Sequence, residues 1–330
     1  MPIKLRIATF NLENLDDKLG EKPTLNERIA LMCPQLLRLD ADILCLQEVN
    51  GQESPGQPRR LQALENLLAG TPYAGFHRVS TITGDGTKVY DERNLVILSR
   101  FAFLEHHQYK HDFAPPPHYQ KVTAKPEETA AKEVTWERPL LHARIKLDST
   151  RVLDLINVHL KSKLPTPVEG QKLNNYTWET ASGWAEGFFL SSMKRVGQAL
   201  ETRMLIDTLF DADEDALVVV CGDFNADLDD VPVEAIRGDV ENTGNDKLDR
   251  RVMVPCERTI PEPSRFSLFH HGQEKMLDHL LISRSLLPYY KGSEIHNELL
   301  HDESVAFGTD VKFPESDHAP VVAEFEVLDS

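Results

Sequence analysis

The chain lacks any apolar run near the ~18 residues that a membrane-spanning helix needs, so no stable membrane association is expected. As written it shows no export signal, since Met1 leads straight into the strand-like Ile3-Lys4-Leu5-Arg6-Ile7, with no basic head, apolar stretch and cleavage site. A cytoplasmic location is the expectation, with secretion left open should a signal have been removed. Cysteine is scarce, and Cys33, Cys45, Cys221 and Cys256 show none of the paired spacing of a zinc or redox motif. Cys45 and Cys221 sit inside apolar runs, where cysteine behaves as a small hydrophobe, which points to reduced core residues. Positive charge is short as well. A net charge of −17 argues against tight, purely electrostatic binding to a polyanion. It leaves room for an enzyme that turns over a polyanion, because bound metal offsets carboxylate charge. Residues 121–195 run against the trend, with twelve Lys or Arg against nine Asp or Glu.

What the chain does have is a composition of 41% hydrophobic and 27% charged residues over 330 positions, that of a soluble globular protein. Its apolar runs end alike, in carboxylate, His or Asn. Val218-Val219-Val220-Cys221 empties through Gly222 into Asp223 and Asn225; a strand would send both to one side. Residues 3–10 end in Asn11 and Glu13, and Ile43-Leu44-Cys45-Leu46 ends in Gln47-Glu48. Residues 152–158 end in Asn157 and His159, spaced to share a face. Asp278 follows Met276-Leu277, and Asp317-His318 precedes the closing strand 321–327. Because both ends of the chain contribute, residues 1–330 are expected to form one domain. Gly-Asp-x-Asn alone can be an ordinary turn; many such strand ends together outweigh that reading.

Between these strands the apolar spacing predicts helices over residues 28–39, bent or split by Pro34, over 61–68 and over 193–210. Residues 51–60 read as a turn-rich loop, and 73–83 with 88–99 as a hairpin whose second strand opens with Tyr90, Glu92 and Arg93. Two stretches break the regularity. Residues 105–137 carry His106-His107 and three consecutive prolines, and 161–189 interleave Lys161, Lys163 and Lys172 with Tyr176, Trp178, Trp184 and Phe188. Long excursions in compact domains are usually functional or disordered. Basic and aromatic residues together suit an unpaired nucleic-acid strand, or a loop held down by its own aromatics. His106-His107 and His270-His271 read as surface histidines.

Oxygen donors dominate the strand-end groups and no cysteine is among them, which favours Mg²⁺, with Mn²⁺ or Ca²⁺ possible, over structural zinc. Six segments, Phe10-Asn11-Leu12-Glu13, Leu46-Gln47-Glu48-Val49, Asn157-Val158-His159, Gly222-Asp223-Phe224-Asn225-Ala226, Leu277-Asp278-His279-Leu280 and Ser316-Asp317-His318-Ala319-Pro320, stand in one order. That order resembles the endonuclease/exonuclease/phosphatase superfamily, and the resemblance runs from residue 5 to residue 327. It implies a four-layered α/β sandwich, with two mostly antiparallel β-sheets face to face, helices outside and the site at one end of the sheets. It further implies Glu48 as principal metal ligand, supported by Asn11, Asp317, Glu13 and Asp223. Asn225 would hold a phosphate oxygen, while His318, paired with Asp278, would accept a proton from the attacking water or oppose developing phosphoryl charge.

The branch is read from fewer residues. Tyr90, Glu92, Arg138 and His159 resemble pancreatic-type DNases, in which Glu92 would orient His159 while Tyr90, Arg138 and Asn157 would contact substrate. The run from Asn157 to Lys163 and the insertion before Arg195 resemble secreted bacterial nucleases of the same superfamily. The excursions at 105–137 and 161–189 have no counterpart in that pattern and are expected to flank the cleft. The expected function is therefore a Mg²⁺-dependent phosphodiester hydrolase with nucleic acid, DNA or RNA, as substrate. The alternative is a phosphatase or phosphodiesterase for a small-molecule or lipid-headgroup phosphoester, such as an inositol phosphate or sphingomyelin. Oligomeric state is left open by the sequence.

Overall fold

Strands covered on both faces read as continuous apolar runs rather than as alternation, and the central strands of this chain do so because helices lie outside both sheets. The computed structural model describes residues 3–305 and 312–327. Its principal strands are β1 (Ile3–Leu15), β2 (Ile43–Val49), β3 (His77–Ser80), β4 (Asn94–Ser99), β5 (Phe103–Tyr109) and β6 (Leu140–Lys146). They continue with β7 (Val152–His159), β8 (Leu217–Asp223), β9 (Met253–Pro255), β10 (Asp278–Ser283), β11 (Tyr290–Ile295) and β12 (Val321–Val327). The main helices are α1 (Leu25–Leu39), α2 (Gln62–Leu68), α3 (Ala181–Ala212) and α4 (Val231–Arg237).

Two six-stranded sheets result, ordered β11-β12-β1-β2-β4-β3 and β9-β10-β8-β7-β6-β5. Each is antiparallel except for one central parallel pair, β1 with β2 and β7 with β8. Leu5, Ile7, Cys45 and Ile97 from the first sheet meet Leu155, Val219, Cys221 and Leu280 from the second in the inner core. Alternate residues face outward. Phe10, Leu44 and Val96 pack on Met32 and Leu36 of α1 and Leu64 of α2, while Ile156, Val218 and Val220 pack on Ile206 and Phe210 of α3 and Val233 of α4. The layers are thus helix, sheet, sheet, helix, as expected from the sequence.

The two parallel pairs explain where the site lies. Strands of a parallel pair finish at the same edge, so β1 and β2 deliver Asn11, Glu13 and Glu48 together, and β7 and β8 deliver His159 level with Asp223. β10 runs against β8, and its first residue, Asp278, stands opposite Asp223. β12 runs against β1 from Val321, so the preceding Asp317 and His318 enter at that same edge.

Several elements differ from the sequence expectation. α1 runs unbroken past Pro34, held at its start by a reciprocal Thr24–Glu27 capping box and closed by Asp40 in the left-handed region. Residues 51–60 contain a short hairpin, Gln52–Ser54 with Gln57–Arg60. The β3–β4 hairpin is shorter than read, because the Asn94 side chain bonds both backbone groups of Tyr90 and holds 90–93 in a turn. The 105–137 excursion starts as regular structure, in edge strand β5, where His106 and His107 are exposed. α3 begins twelve residues before the expected 193, at Ala181. Gly187 lets it press on the 161–180 segment; a Cβ there would lie 2.5 Å from the Thr166 carbonyl oxygen. The two excursions also pack on each other. Buried Glu186 accepts hydrogen bonds from Tyr119 Oη, Val122 N and Thr123 N, over a small core of Ala124, Val134, Val168 and Leu190. All four cysteines are free, and Cys45, Cys221 and Cys256 are buried.

One buried pair in β10 gives a pH prediction. His279 Nδ1 lies 2.6 Å from Glu257 Oε1 and its Nε2 lies 2.8 Å from the Ala226 carbonyl, with both side chains fully enclosed. Burial would lower the imidazole pKa, but the Glu257 carboxylate and the carbonyl outweigh it and raise it. A raised folded-state pKa stabilises most at pH values below the unfolded pKa of about 6.5, and the contribution fades as pH climbs through the folded value. Glu257→Gln is expected to destabilise the fold by about 3–5 kcal/mol. The difference in unfolding free energy between wild type and variant, measured by denaturant titration, should shrink above neutrality. A difference independent of pH would mean that His279 is neutral.

Candidate active site

Four site residues adopt left-handed backbone conformations without being glycine: Glu13 (φ 46°), Asn14 (φ 50°), Glu48 (φ 57°) and Asn225 (φ 50°). Such strain, about 1–3 kcal/mol each, persists where surrounding contacts over-determine it and clusters at functional sites. The contacts are present. Asn14 N donates to Glu48 Oε2 (2.9 Å), Glu13 N to Asn11 Oδ1 (2.9 Å) and Asn225 N to Asp223 Oδ1 (2.8 Å). Arg28 reaches from α1 beneath the turn and donates to the carbonyls of Leu12 (2.7 Å), Glu13 (3.0 Å) and Pro314 (3.3 Å).

One half of the site is a carboxylate cluster. Glu13 Oε2 accepts from Asp317 N at 3.1 Å, and Glu48, whose own contacts are Asn14 N and His159, is near enough to add its charge to both. Burial pushes the Glu13 carboxyl up to about 7, only partly offset by Arg28 and the Asp317 amide. Burial also drives Asp317 well above the carboxylate range, with His318 as the main opposing charge and Glu13 and Glu48 adding to the rise. Asp317 Oδ1 is enclosed and has no hydrogen-bond partner among the described residues. A cation would relieve all of these penalties at once, and the donors are oxygens, so Glu13, Glu48 and Asp317 fit a hard divalent ion.

The other half is hydrogen-bonded and holds protons. His318 Nδ1 lies 2.7 Å from Asp278 Oδ2, and Asp278 is fixed in turn by its backbone N–H to Ser267 Oγ (3.0 Å). Burial would lower the His318 pKa, but Asp278, Asp223 and Asp317 outweigh it and lift it well above the ordinary value. Ser316 Oγ accepts from His318 N (3.1 Å) and donates to the Asn11 carbonyl (2.7 Å), which locks the histidine to β1. Asp223 Oδ2 accepts from Asn11 Nδ2 (3.0 Å) and Asn225 Nδ2 (3.0 Å), and His159 Nε2 lies 3.2 Å away. Burial alone would raise Asp223, yet cationic His318 and the His159 and Asn225 hydrogen bonds hold it below the carboxylate range. Burial and neighbouring Arg138 depress His159, against the pull of Asp223. His159 Nε2 is also 3.5 Å from Glu48 Oε1, and this contact joins the two halves. Ligand atoms of Asp223, Asp278 and His318 lie within 4.8 Å of one another, the one group of metal-ligand type that close among the described residues. Here Asp223 is engaged by the Asn11 and Asn225 amides and His318 by Asp278 Oδ2, while Asp278 Oδ1 is enclosed without a hydrogen-bond partner among the described residues.

The structure therefore brings Asn11, Glu13, Glu48, His159, Asp223, Asn225, Asp278, Asp317 and His318 to one edge. It separates four others from the roles expected of them. Asn157 lies fully buried between the sheets, donating to the carbonyls of Leu46 (3.1 Å) and Val96 (3.0 Å) and accepting from Gln47 Nε2 (2.7 Å). It cannot meet substrate, because it shares the inner face with His159 but lies two residues further from the edge, enclosed between the sheets. Glu92 is exposed in the 90–93 turn and makes no bond to His159, whose carboxylate neighbours are Asp223 and Glu48. Tyr90 is half-buried in that turn and bonds Gln108. Arg138 is buried and donates to the carbonyls of His159 (3.2 Å) and Leu160 (3.1 Å), supporting the exit of β7. Arg28, Ser267 and Ser316 were missed. Arg28 had a signal: it stands at helical spacing in the apolar stripe Leu25, Met32, Leu36 and Leu39, where a charge must find partners.

The strut role of Asn157 is testable. Asn157→Ala strands two carbonyls and the Gln47 amide, so we expect a loss of about 2–4 kcal/mol with unchanged KM. A raised KM at unchanged melting temperature would restore it to the substrate.

A cleft of about 810 Å³ opens beside Glu13 and Asp317, lined further by Lys18, Arg93, Tyr176 and Lys312. An α/β sandwich of this layering, with acids and histidines gathered at one end of paired sheets, is the build of a class of hydrolases that act on phosphoesters. The chain belongs to the endonuclease/exonuclease/phosphatase family, whose profile matches residues 8–318. A family protein from Bacteroides thetaiotaomicron has a similar structure at 15% identity and a TM-score of 0.58, over 99% of this chain and 96% of that one. An AP endonuclease from Archaeoglobus fulgidus matches at 17% identity and 0.52, over 98% and 100%. The 3′ phosphatase NExo from Neisseria, solved with a product DNA hairpin, matches at 18% and 0.52, over 97% and 99%. No curated protein sequence matches this one.

Proposed function

We propose that the protein is a Mg²⁺-dependent phosphodiesterase that cleaves nucleic acid by in-line attack of water. The observation that carries this reading is the juxtaposition of the His318–Asp278 pair, at 2.7 Å, with the Glu13–Glu48–Asp317 cluster across Asp317 itself. A divalent cation on that cluster would neutralise phosphate oxygens and act as a Lewis acid. The protein's own groups do the rest. Asp278 accepts from Nδ1–H of cationic His318 and turns Nε2–H toward the reacting phosphate, where it opposes the charge that develops on the phosphoryl oxygens. Asp223, held ionised, orients the attacking water and receives its proton, while the P–O bond opposite the attacking water breaks and the departing oxygen takes a proton from solvent. Asn225 Nδ2 exchanges the Leu160 carbonyl, 3.0 Å away, for a phosphate oxygen.

The lining of the cleft is of mixed charge: Lys18, Lys22, Arg93 and Lys312, which can face phosphates, stand among Asp16, Glu21, Glu92 and Glu303, and what favours nucleic acid there is Tyr176, which is 84% exposed and offers a ring for a base. The 3′ phosphatase among the structural neighbours is itself solved on DNA.

The experiment is a substrate panel with Mg²⁺ or Mn²⁺: duplex and single-stranded DNA, RNA, bis-p-nitrophenyl phosphate, monoesters, inositol phosphates and sphingomyelin. Hydrolysis of nucleic acid and the aryl diester, abolished by a chelator, is the expected result. Cleavage of monoesters alone would sink the phosphodiesterase reading while leaving the metal site standing, and inertness toward every ester would sink both.

A further inference from the structure

The two aromatic residues of the 171–179 segment have opposite settings. Trp178 ties the segment down: Lys172 Nζ lies 4.6 Å over its ring, and a Cβ on Gly187 of α3 would stand 2.7 Å from its Cη2. Tyr176 is the most exposed Phe, Tyr or Trp among the described residues, and it hydrogen-bonds through its backbone N–H alone. The backbone beneath that ring is fully engaged. Lys172 and Trp178 form an antiparallel bridge, Glu179 N donates to the Gln171 carbonyl (2.9 Å), and Leu173 N donates to the Thr177 carbonyl (2.9 Å). At the tip, Asn174 Oδ1 accepts from Tyr176 N and Thr177 N (2.9 Å each), and Lys172 Nζ donates to the Asn175 carbonyl (2.7 Å). The foot rests on α3, because Thr180 Oγ1 accepts from Gly183 N (2.9 Å) and donates to Gln171 Oε1 (2.6 Å). The hairpin thus holds one ring out in solvent on a fixed backbone.

Tyr176 lines the same cleft as Glu13 and Asp317. The other two rings of that lining, His301 and Phe313, are stacked on each other at 3.9 Å, which leaves Tyr176 as the ring free to take a partner. We propose that the 171–179 hairpin makes the enzyme selective for unpaired nucleic acid, with Tyr176 stacking on a base of the strand that passes the carboxylate cluster, a selection that rests on the nucleic-acid reading above. A base within a duplex is covered by its neighbours on both faces, and freeing one costs unstacking and unpairing. The base of a single strand meets an aromatic face without that cost. Charge points the same way. Duplex binding draws on phosphates of both strands, one charge per ~1.7 Å of axis. The cations of this cleft form no such row, since Lys18 lies 3.3 Å from Asp16, Lys22 lies 3.6 Å from Glu27, and Glu21, Glu92 and Glu303 share the lining. Stacking needs no excess of positive charge, which suits a chain of net charge −17.

The test compares a short single strand with the same strand annealed to its complement, cleaved by the full chain with Mg²⁺. We expect kcat/KM to be at least about tenfold higher on the single strand, the unpairing cost that a duplex adds. Tyr176→Ala should raise KM on the single strand about 5–150-fold, the loss of one base–aromatic stack, at an unchanged melting temperature and with kcat much less affected. Tyr176→Phe, which keeps the ring, should restore KM. As a second measurement, 2-aminopurine placed at successive positions of the strand should be quenched at one of them on binding to the slow variant His318→Ala. That quench should vanish when Tyr176→Ala is added. Equal cleavage of single strand and duplex, a wild-type KM in Tyr176→Ala, or a quench that persists without the ring would each overturn the role of the hairpin and leave the nuclease reading standing. Hydrolysis of an aryl diester with neither nucleic acid form bound or cleaved would overturn both.

Discussion

His318→Ala is expected to lower kcat by about 10²–10³-fold, the range that a preorganised donor to developing charge contributes, with little change in KM and an intact fold. The geometry explains why the loss should be in turnover. His318 reaches the site through a bonded chain in which Ser267 holds Asp278, Asp278 holds Nδ1 and Ser316 holds the backbone N–H. Three partners fix one imidazole nitrogen outward. Such preorganisation counts in the transition state, when charge develops, and far less in the ground state. Asp278→Asn should show a milder form of the same defect, since the ring remains but its positive charge and orientation are no longer enforced. Steady-state kinetics on an aryl phosphodiester, beside a melting curve for each variant, checks both. Turnover of His318→Ala near wild type would remove the residue from the chemistry.

Glu48→Ala is expected to act on a different quantity, the metal requirement. Glu48 projects from a left-handed residue, accepts the Asn14 amide and stands between His159 and the Glu13–Asp317 pair. Loss of even an outer partner of a metal ligand costs roughly 10–100-fold in metal affinity, and loss of a ligand should cost at least that. Titration of activity with Mg²⁺ should show a half-saturating concentration raised by that factor and a lower plateau. Direct Mn²⁺ titration by electron paramagnetic resonance gives the same affinity without relying on turnover. An unchanged metal curve would place the cation elsewhere. Because Glu48 also meets the Asn14 amide, melting temperature must be followed beside these titrations.

The edge of the site was readable because its strands are covered on both sides. An apolar run such as Val218 to Cys221 has no polar residue until the strand leaves the sheet, so the first polar residue marks the exit. The parallel pairing of β1 with β2 and of β7 with β8 then turns a list of strand ends into one place. What alternation conceals is depth. Asn157 shares a face with His159, two residues away, yet it lies further from the sheet edge and bonds Gln47 and the carbonyls of Leu46 and Val96. Glu92 and Tyr90 looked like a strand face because Leu95 to Leu98 is one, but the Asn94 side chain stops the strand there. The first half of α3 was hidden for a further reason. There Trp184, Phe188, Phe189 and Val196 face out while Glu186 and Arg195 face in, so Leu190 and Met193 alone make no inward apolar stripe to detect.

The central claim is that Glu13, Glu48 and Asp317 hold one hard divalent cation beside the His318–Asp278 pair. An anomalous difference map from crystals soaked in Mn²⁺ tests it most directly. The account predicts a strong peak about 2.1 Å from carboxylate oxygens of Glu48 and Asp317, with His318 Nδ1 still on Asp278. A map with no peak at that cluster, or with its strongest peak among Asp223, Asp278 and His318, would contradict it.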